Sequence, residues 1–406
     1  MTSIKKILVL NPYIPTLGGG EKHMAYLCLF LEQQYPEAVI DILVHNYHNI
    51  DIYDKDYVTI NDINMQFNIN LQRTQIKKLH LKHPTKPFQF IYNKYRIEWI
   101  SRRYDIFINF MYLSKHIGYS KYNFYSCMFP PQRFVNEPYM QNSKILQVAG
   151  EKFDSNFIKS YDAYISNSQF TNHWLHEYWP ETKNATTVYP PVFHIGDIDG
   201  RYDESLKENI ILSVGRFFVD DHNKKQLELV RIFKENYNEL QGFEFHLIGA
   251  LSTRHKDVEY VEEIKKEIKG YPIFLHLNAP YFELVSYYKK AKIFWHGTGY
   301  GVNENREPEK MEHFGITTVE AMSFGCIPVV INKGGQKEIV QHNLNGFLWD
   351  NDRDCVKYTR QILDAPLKRK EMSICANSRA YDFSIETYND GNQAIFNKLI
   401  NDEGQF

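Results

Sequence analysis

Two carboxylates, Glu312 and Glu320, stand with seven residues between them in the stretch EHFGITTVEAM, residues 312–322. On one continuous helix they would lie about 12 Å apart along the axis, too far to act on one small group. A break at Gly315 changes this, leaving Glu312 in a loop folded across the start of a helix over 316–324, with Glu320 one turn inside. Such an arrangement spans an extended ligand. Glu312 takes one end, the backbone N–H groups of Phe314, Gly315, Ile316 and Thr317 meet a phosphate, and Glu320 accepts hydrogen bonds from a ribose diol. That is the layout of a nucleotide-sugar site. A solvated amphipathic helix with two surface acids would show the same residues.

Two other stretches carry charge or backbone suited to phosphate. ILSVGRF places Arg216 just past an apolar run, and Lys224, with Lys225 as its alternate, follows eight residues later at the start of a helical pattern. A pair of cations so placed suits a diphosphate. Near the start of the chain, Gly18, Gly19 and Gly20 lie between an apolar run, Ile7–Leu10, and a helical pattern from His23. Glycines there let a backbone approach an anion at a helix N-terminus. A tight turn with no ligand would use them equally well.

Positioning such residues takes strand ends and helix starts, and the chain supplies both. Short apolar runs followed by helical patterns recur throughout, which predicts an α/β chain with mostly parallel sheets. One series of strands is expected at 7–10, 39–44, 106–109, 124–128, 163–166 and 187–189, a second at 210–214, 243–248, 273–277, 293–295 and 327–331. This divides the 406 residues into a domain at 1–190, a linker at 191–207 containing Pro190-Pro191 at its edge, and a domain at 208–384. A last helix, about 385–406, is free in sequence terms to pack back on the first domain. Ligands of doubly wound sheets bind at the carboxyl ends of the strands.

Composition narrows the function. A net charge of −2 argues against general nucleic-acid binding. No apolar run approaches the roughly 18 residues needed to cross a bilayer, and the N-terminal run is too short for a signal-peptide core, so a cytoplasmic protein is expected. Five widely spaced cysteines without CxxC predict reduced, structural thiols. Locally, residues 73–103 hold nine Lys and Arg against one acid, Glu98, with Phe88, Phe90, Tyr92, Tyr95 and Trp99 interleaved. This segment reads either as a solvated helix face over core aromatics or as a peripheral contact with an anionic membrane, on its inner face, or with a pyrophosphate-linked lipid.

With these segments in order, the chain resembles a family 4 glycosyltransferase of the GT-B fold. The likeness rests on EHFGITTVEAM, the GGGE loop at 18–21, ISNSQFT at 165–171, VYPPV at 188–192, LSVGRF with Lys224, and IPVVINKGGQKEIV at 327–340. Mannosyltransferases that extend lipid-linked oligosaccharides, and bacterial relatives making surface polysaccharides, are the most similar in wording. The resemblance implies two doubly wound Rossmann-like domains facing across a cleft. It implies retaining transfer of a sugar, from GDP-mannose or a UDP-sugar, to a glycan or lipid-linked glycan, with no metal and no cofactor beyond that co-substrate. Carried over by position, Arg216 and Lys224 neutralise the leaving diphosphate and Glu320 holds the ribose. Glu312, with His313 beside it, meets the donor sugar, Asn278 lies by the base, and Gly18–Gly20 close from the first domain.

One position departs from the family. Where many relatives carry a His near the donor sugar, CMFPP at 127–131 places Met128, which neither donates a strong hydrogen bond nor shuttles a proton. Gln132 or Arg133 nearby would have to serve instead. A non-catalytic nucleotide-sugar-binding or scaffold protein is the alternative, and a nucleotide-sugar epimerase of similar architecture is another. A metal-dependent transferase would need an Asp-x-Asp at a strand end, whereas the three triplets, 54–56, 197–199 and 352–354, all fall in expected loops or the linker.

Overall fold

The computed structural model describes residues 4–11, 18–47, 58–81, 87–193, 201–220 and 223–401. Among them the chain forms two compact units, one of Met1–Pro191 with Tyr388–Phe406 and one of Val192–Thr387. Each is a parallel sheet wrapped by helices.

The first sheet contains β1 (Lys6–Leu10), β2 (Val39–Tyr47), β3 (Thr74–Leu81), β4 (Ile106–Asn109), β5 (Tyr122–Cys127), β6 (Ala163–Ser166) and β7 (Ala185–Thr187), in the order β3-β2-β1-β4-β5-β6-β7. Its central strands are apolar on both faces because helices cover both. The last helix, Ile385–Asn401, belongs largely to this unit. Phe396 from it stacks on Phe124 of β5 with ring centroids 4.2 Å apart, and Gln34 donates to Asn397 at 3.0 Å.

The second sheet contains β8 (Glu208–Val214), β9 (Glu244–Gly249), β10 (Ile273–Leu277), β11 (Ala291–His296), β12 (Ile327–Ile331) and β13 (Phe347–Trp349), in the order β10-β9-β8-β11-β12-β13. Strand order reverses between β8 and β11, whose carboxyl ends therefore splay their following loops apart and open a crevice. Phe233, Phe245, Trp295 and Trp349 fill the core beneath.

Three expectations shift. Residues 74–81, absent from the expected strands, form the edge strand β3, and β13 is likewise additional. The strand placed at 187–189 runs instead over Ala185–Thr187, and only its last residue coincides. The linker segment 194–200 and the triplets 54–56 and 197–199 lie outside the described residues.

Candidate functional site

Arg216, Lys224, Glu312, His313 and the 314–320 segment all belong to the second unit, at the strand ends beside its reversal point. Lys224 reaches there because Gly215, one residue past β8, has no side chain. A Cβ on Gly215 would lie 2.7 Å from Lys224 Cγ, so the lysine stem crosses its backbone. Buried Gln226 fixes the turn by donating to the carbonyls of Gly215 and Arg216, both at 3.1 Å. Arg216 itself is exposed, and among the described residues it pairs with no carboxylate. Lys225 adopts a left-handed φ of 58° at the helix start and donates to Glu228 at 3.0 Å, so its ammonium is engaged within its own helix.

Gly315 breaks the chain at φ 120° and ψ 58°, and the helix runs over Ile316–Ser323. Only glycine reaches that conformation cheaply. Among the described residues no side chain caps the helix, and no acid lies in its first turn, which leaves its positive end open to an anion. Buried Gln336 lies against Gly315; its Oε1 accepts from Thr318 at 3.0 Å, while its Nε2 has no hydrogen-bond partner among the described residues.

Glu312 sits in the preceding loop, its carbonyl accepting from Gly335 N–H at 2.7 Å. Its Oε2 accepts two charge-relevant bonds, from Lys224 Nζ at 2.5 Å and from His296 Nε2 at 2.9 Å. Burial alone would raise the Glu312 carboxyl pKa. The Lys224 charge and the hydrogen bonds from His296 and Lys224 outweigh that and hold it well below the usual carboxylate value. His296 is pushed down by burial, against a partial upward pull from Glu312, so the ring stays neutral and Nε2 carries the proton. Glu320, inside the helix, accepts from the buried Tyr288 hydroxyl at 3.1 Å.

The geometry brings Lys224 and Glu312 together and shows how their neighbours are used. Phe314 packs its ring against Phe383, and buried His313 donates toward the Glu309 carbonyl at 3.2 Å, so only their backbones face outward duties. Ile316 and Thr317 are half-buried at the helix start. Asn278, left-handed at φ 54°, accepts from Leu251 N–H at 2.9 Å and ties the loop after β10 to that after β9. Gly18–Gly20 lie in the first unit, after β1. There Glu21 turns back to accept from Gly18 N–H at 2.8 Å, so the acid of GGGE is a cap. A Cβ on helical Gly20 would meet nothing within 4 Å, so no neighbour among the described residues requires that glycine.

Three side chains that the sequence reading passed over complete the picture. His296 bonds Glu312, Tyr288 bonds Glu320 and Gln336 packs against Gly315, and each comes from a different element. The only sequence signal was polarity at an apolar strand's end in Trp295-His296-Gly297. For the position of Met128, neither suggested substitute stands out: Arg133 binds both oxygens of Glu181 at 2.9 Å, Gln132 is exposed, and the Met128 sulfur lies 3.8 Å from Asn167 Nδ2. The third aspartate triplet is committed locally, Asp352 to the Tyr300 hydroxyl and Asp354 to Asn351.

Residues 196–379 match the family described as Glycosyl transferases group 1. The chain resembles a GT-B glycosyltransferase. Among curated relatives, a Xenopus tropicalis protein named GDP-Man:Man(3)GlcNAc(2)-PP-Dol alpha-1,2-mannosyltransferase is 29% identical over 47% of this chain and 38% of its own length. A Caenorhabditis elegans protein of the same name is 23% identical over 90% of this chain and 85% of its own. Mouse Alpha-1,3/1,6-mannosyltransferase ALG2 is 27% identical over 59% of each. The chain spans 38% of the length of the Xenopus tropicalis relative and 50% of that of a Dictyostelium discoideum protein of the same name. Solved structures share the two-domain GT-B fold. Anabaena Alr3699/HepE in complex with UDP and glucose superposes with a TM-score of 0.65 at 15% identity, over 97% of this chain and all of the other. A glycosyltransferase from Rickettsia africae gives 0.66 at 16%, over 98% and 99%.

Proposed function

We propose that the protein is a retaining, metal-independent glycosyltransferase that moves a sugar from a nucleoside diphosphate donor, GDP-mannose or a UDP-sugar, to a glycan or lipid-linked glycan. The observation that carries this reading is the Lys224–Glu312 pair set beside an uncapped helix start at the reversal point of the second sheet. The names of the mannosyltransferase relatives point to GDP-mannose, and the titles of the structural neighbours to UDP-sugars. In the proposed reaction Arg216 and Lys224 stabilise the charge developing on the diphosphate, aided by the N–H groups of Ile316 and Thr317. Glu320 accepts from the ribose hydroxyls, and Glu312 from those of the sugar. The acceptor hydroxyl attacks the anomeric carbon on the face the diphosphate leaves, its proton passing to the departing phosphate oxygen. This step needs no side-chain base, which accommodates Met128. Fixed cations and a helix dipole carry the role a metal would otherwise fill.

A thermal-shift screen of GDP-, UDP-, ADP- and dTDP-linked sugars tests the donor site. One nucleotide at about a hundred times its Kd should stabilise the parent by roughly 2.7 kcal/mol, equivalent to roughly 5–10 °C for a unit of this size. Glu320→Ala should lose most of the shift. Silence from every donor in the parent would remove the reading; donor binding with no transfer to any acceptor would favour the scaffold alternative that Met128 motivates.

The first unit also supports a membrane contact. On the helix Pro87–Ile100, Ile91, Tyr92, Tyr95 and Trp99 are exposed, the last two stacked at 5.3 Å. Arg102 lies 3.8 Å over the Trp99 ring and Arg96 5.8 Å from Tyr92. These aromatics are surface residues, contrary to the core placement considered from sequence. Some of the basic excess is spent internally, since Lys77 pairs with Asp41 and Lys94 with Glu98. Among the described residues no helix is long and apolar enough to cross a membrane, so contact would be lateral, with aromatics at headgroup level and arginines on anionic lipid. Sedimentation with phosphatidylserine vesicles should show binding that weakens with salt and falls in Tyr95→Ser/Trp99→Ser. Equal sedimentation of parent and variant at low salt would remove 73–103 as the contact.

A further inference from the structure

His296 is the last residue of β11, registered against Val330 of β12, and 2% exposed. A histidine is an unfavourable choice there. Burial opposes its charged form, and its Nδ1 finds no hydrogen-bond partner among the described residues. An apolar ring would fill the space without that penalty. Among the described residues its ring makes a 2.9 Å bond to Glu312 Oε2, with a Thr298 Oγ1 contact at 3.2 Å on the same nitrogen.

The other bond to that oxygen comes from Lys224, and the proposed function gives Lys224 a second duty. A bound diphosphate would draw the ammonium toward phosphate oxygens. Glu312, carried on a loop between β11 and the 316–323 helix, would then lose its shorter anchor at the moment its orientation matters. His296 does not share that conflict. Its backbone is locked in the sheet, its ring is buried, and a neutral imidazole gains little from moving toward an anion.

Resting on that donor-site reading, we propose that His296 is a positioning residue that keeps Glu312 directed at the donor sugar while the diphosphate engages Lys224. Lys224 and His296 thus divide the work of holding one carboxylate. Lys224 balances its charge in the empty site, and His296 preserves its direction in the loaded one. The inference concerns the sugar end of the donor, so His296 should matter for a nucleotide sugar and not for the bare nucleoside diphosphate.

Calorimetry with GDP and GDP-mannose, and with UDP and UDP-glucose in parallel, tests this on the parent, His296→Leu and His296→Gln. Leu keeps the volume and removes the donor; Gln restores an N–H at comparable reach. The quantity read is the ratio of Kd for the nucleotide sugar to Kd for its diphosphate. In His296→Leu that ratio should rise about tenfold, the usual size of one lost charge-assisted hydrogen bond, with the diphosphate Kd itself within about threefold of the parent. His296→Gln should return the ratio toward the parent value. A structural role alone would weaken both ligands together and would not be rescued by Gln, and that pattern would overturn the inference, as would an unchanged ratio. If a pair binds the parent and Lys224→Ala abolishes diphosphate binding while His296→Leu leaves the ratio unchanged, the donor-site reading survives and this inference fails. If neither diphosphate binds the parent, both fail.

Discussion

Lys224→Ala is expected to lower kcat/KM for donor turnover by about 10³-fold, the loss seen when one fixed group facing developing charge is removed. The argument is geometric. The lysine is held over Gly215 with its ammonium 2.5 Å from Glu312, whereas Arg216, from the same turn, is exposed. The substitution has a second effect. Glu312 would keep only its bond to neutral His296, and its carboxyl pKa would rise as the Lys224 contribution disappeared. Stability gained from that depressed pKa is present above the ordinary value of 4.5 and is lost as pH falls through the lower folded one. Lys224→Ala forfeits that contribution, so its melting point should fall below the parent's most at pH 7, and the gap should narrow toward acid as the parent loses the same contribution. Initial rates with the donor found by thermal shift, together with melting at pH 4 and 7, check both statements. A variant that retains turnover within about tenfold of the parent would place the leaving-group charge elsewhere.

Gly249→Ala should cost about 3 kcal/mol or more of stability, the upper range for forcing added volume into a packed site. Gly249 ends β9, and a Cβ there would lie 1.9 Å from Gly215 O and 2.8 Å from Gly215 C. Both obstacles are backbone, so no side chain can swing aside. Relief would have to break bonds that clamp the two strand ends, Gly215 N–H to Ile248 O and Phe217 N–H to Ala250 O, each 3.0 Å. The displaced segment carries Arg216 and lies beneath Lys224, so diphosphate binding should weaken as well. Gly242→Ala provides the contrast, because its penalty comes from a φ of +84° with nothing within 4 Å of the new Cβ. That change should cost about 1–2 kcal/mol. Chemical unfolding of the two variants beside the parent decides it, and equal losses would show that the Gly215–Gly249 contact is softer than the geometry implies.

The parts of this molecule that could be read in advance are those whose determinants are local. Glu312, Gly315 and Glu320 fall within nine residues, so the turn, the helix and the directions of two carboxylates follow from one segment. The central strands were legible because they are apolar on both faces. β3 was not, since Thr74–Leu81 is an edge strand with Lys77-Lys78 at its centre, and its alternation of buried and exposed positions is imperfect. The aromatics of the helix at 87–100 misled for a related reason. Apolar residues lie on both of its sides, Ile97 inward and Ile91, Tyr95 and Trp99 outward, so spacing alone cannot assign the buried face. His296 was hidden because its function exists only through Glu312, sixteen residues onward and in a different element. Residue type announces a ligand-facing acid; it does not announce the residue that aims it.

The helix that ends the described chain imposes an order on how the protein is made. Phe396 stacks on Phe124 and lies beside Phe30, and Tyr388 closes over His23, so the first unit's interior includes side chains synthesised after all of Val192–Thr387. At about 5–20 residues per second, the ribosome needs roughly 10–40 s to traverse that interval. Throughout it, Phe124 and Phe30 lack their covering helix, and the emerged first unit must persist with an open apolar seam on its sheet. The second unit is contiguous in the chain and needs no such wait. The first unit is thus begun first and finished last, and its newborn form is a natural client for whatever shields exposed apolar surface during synthesis.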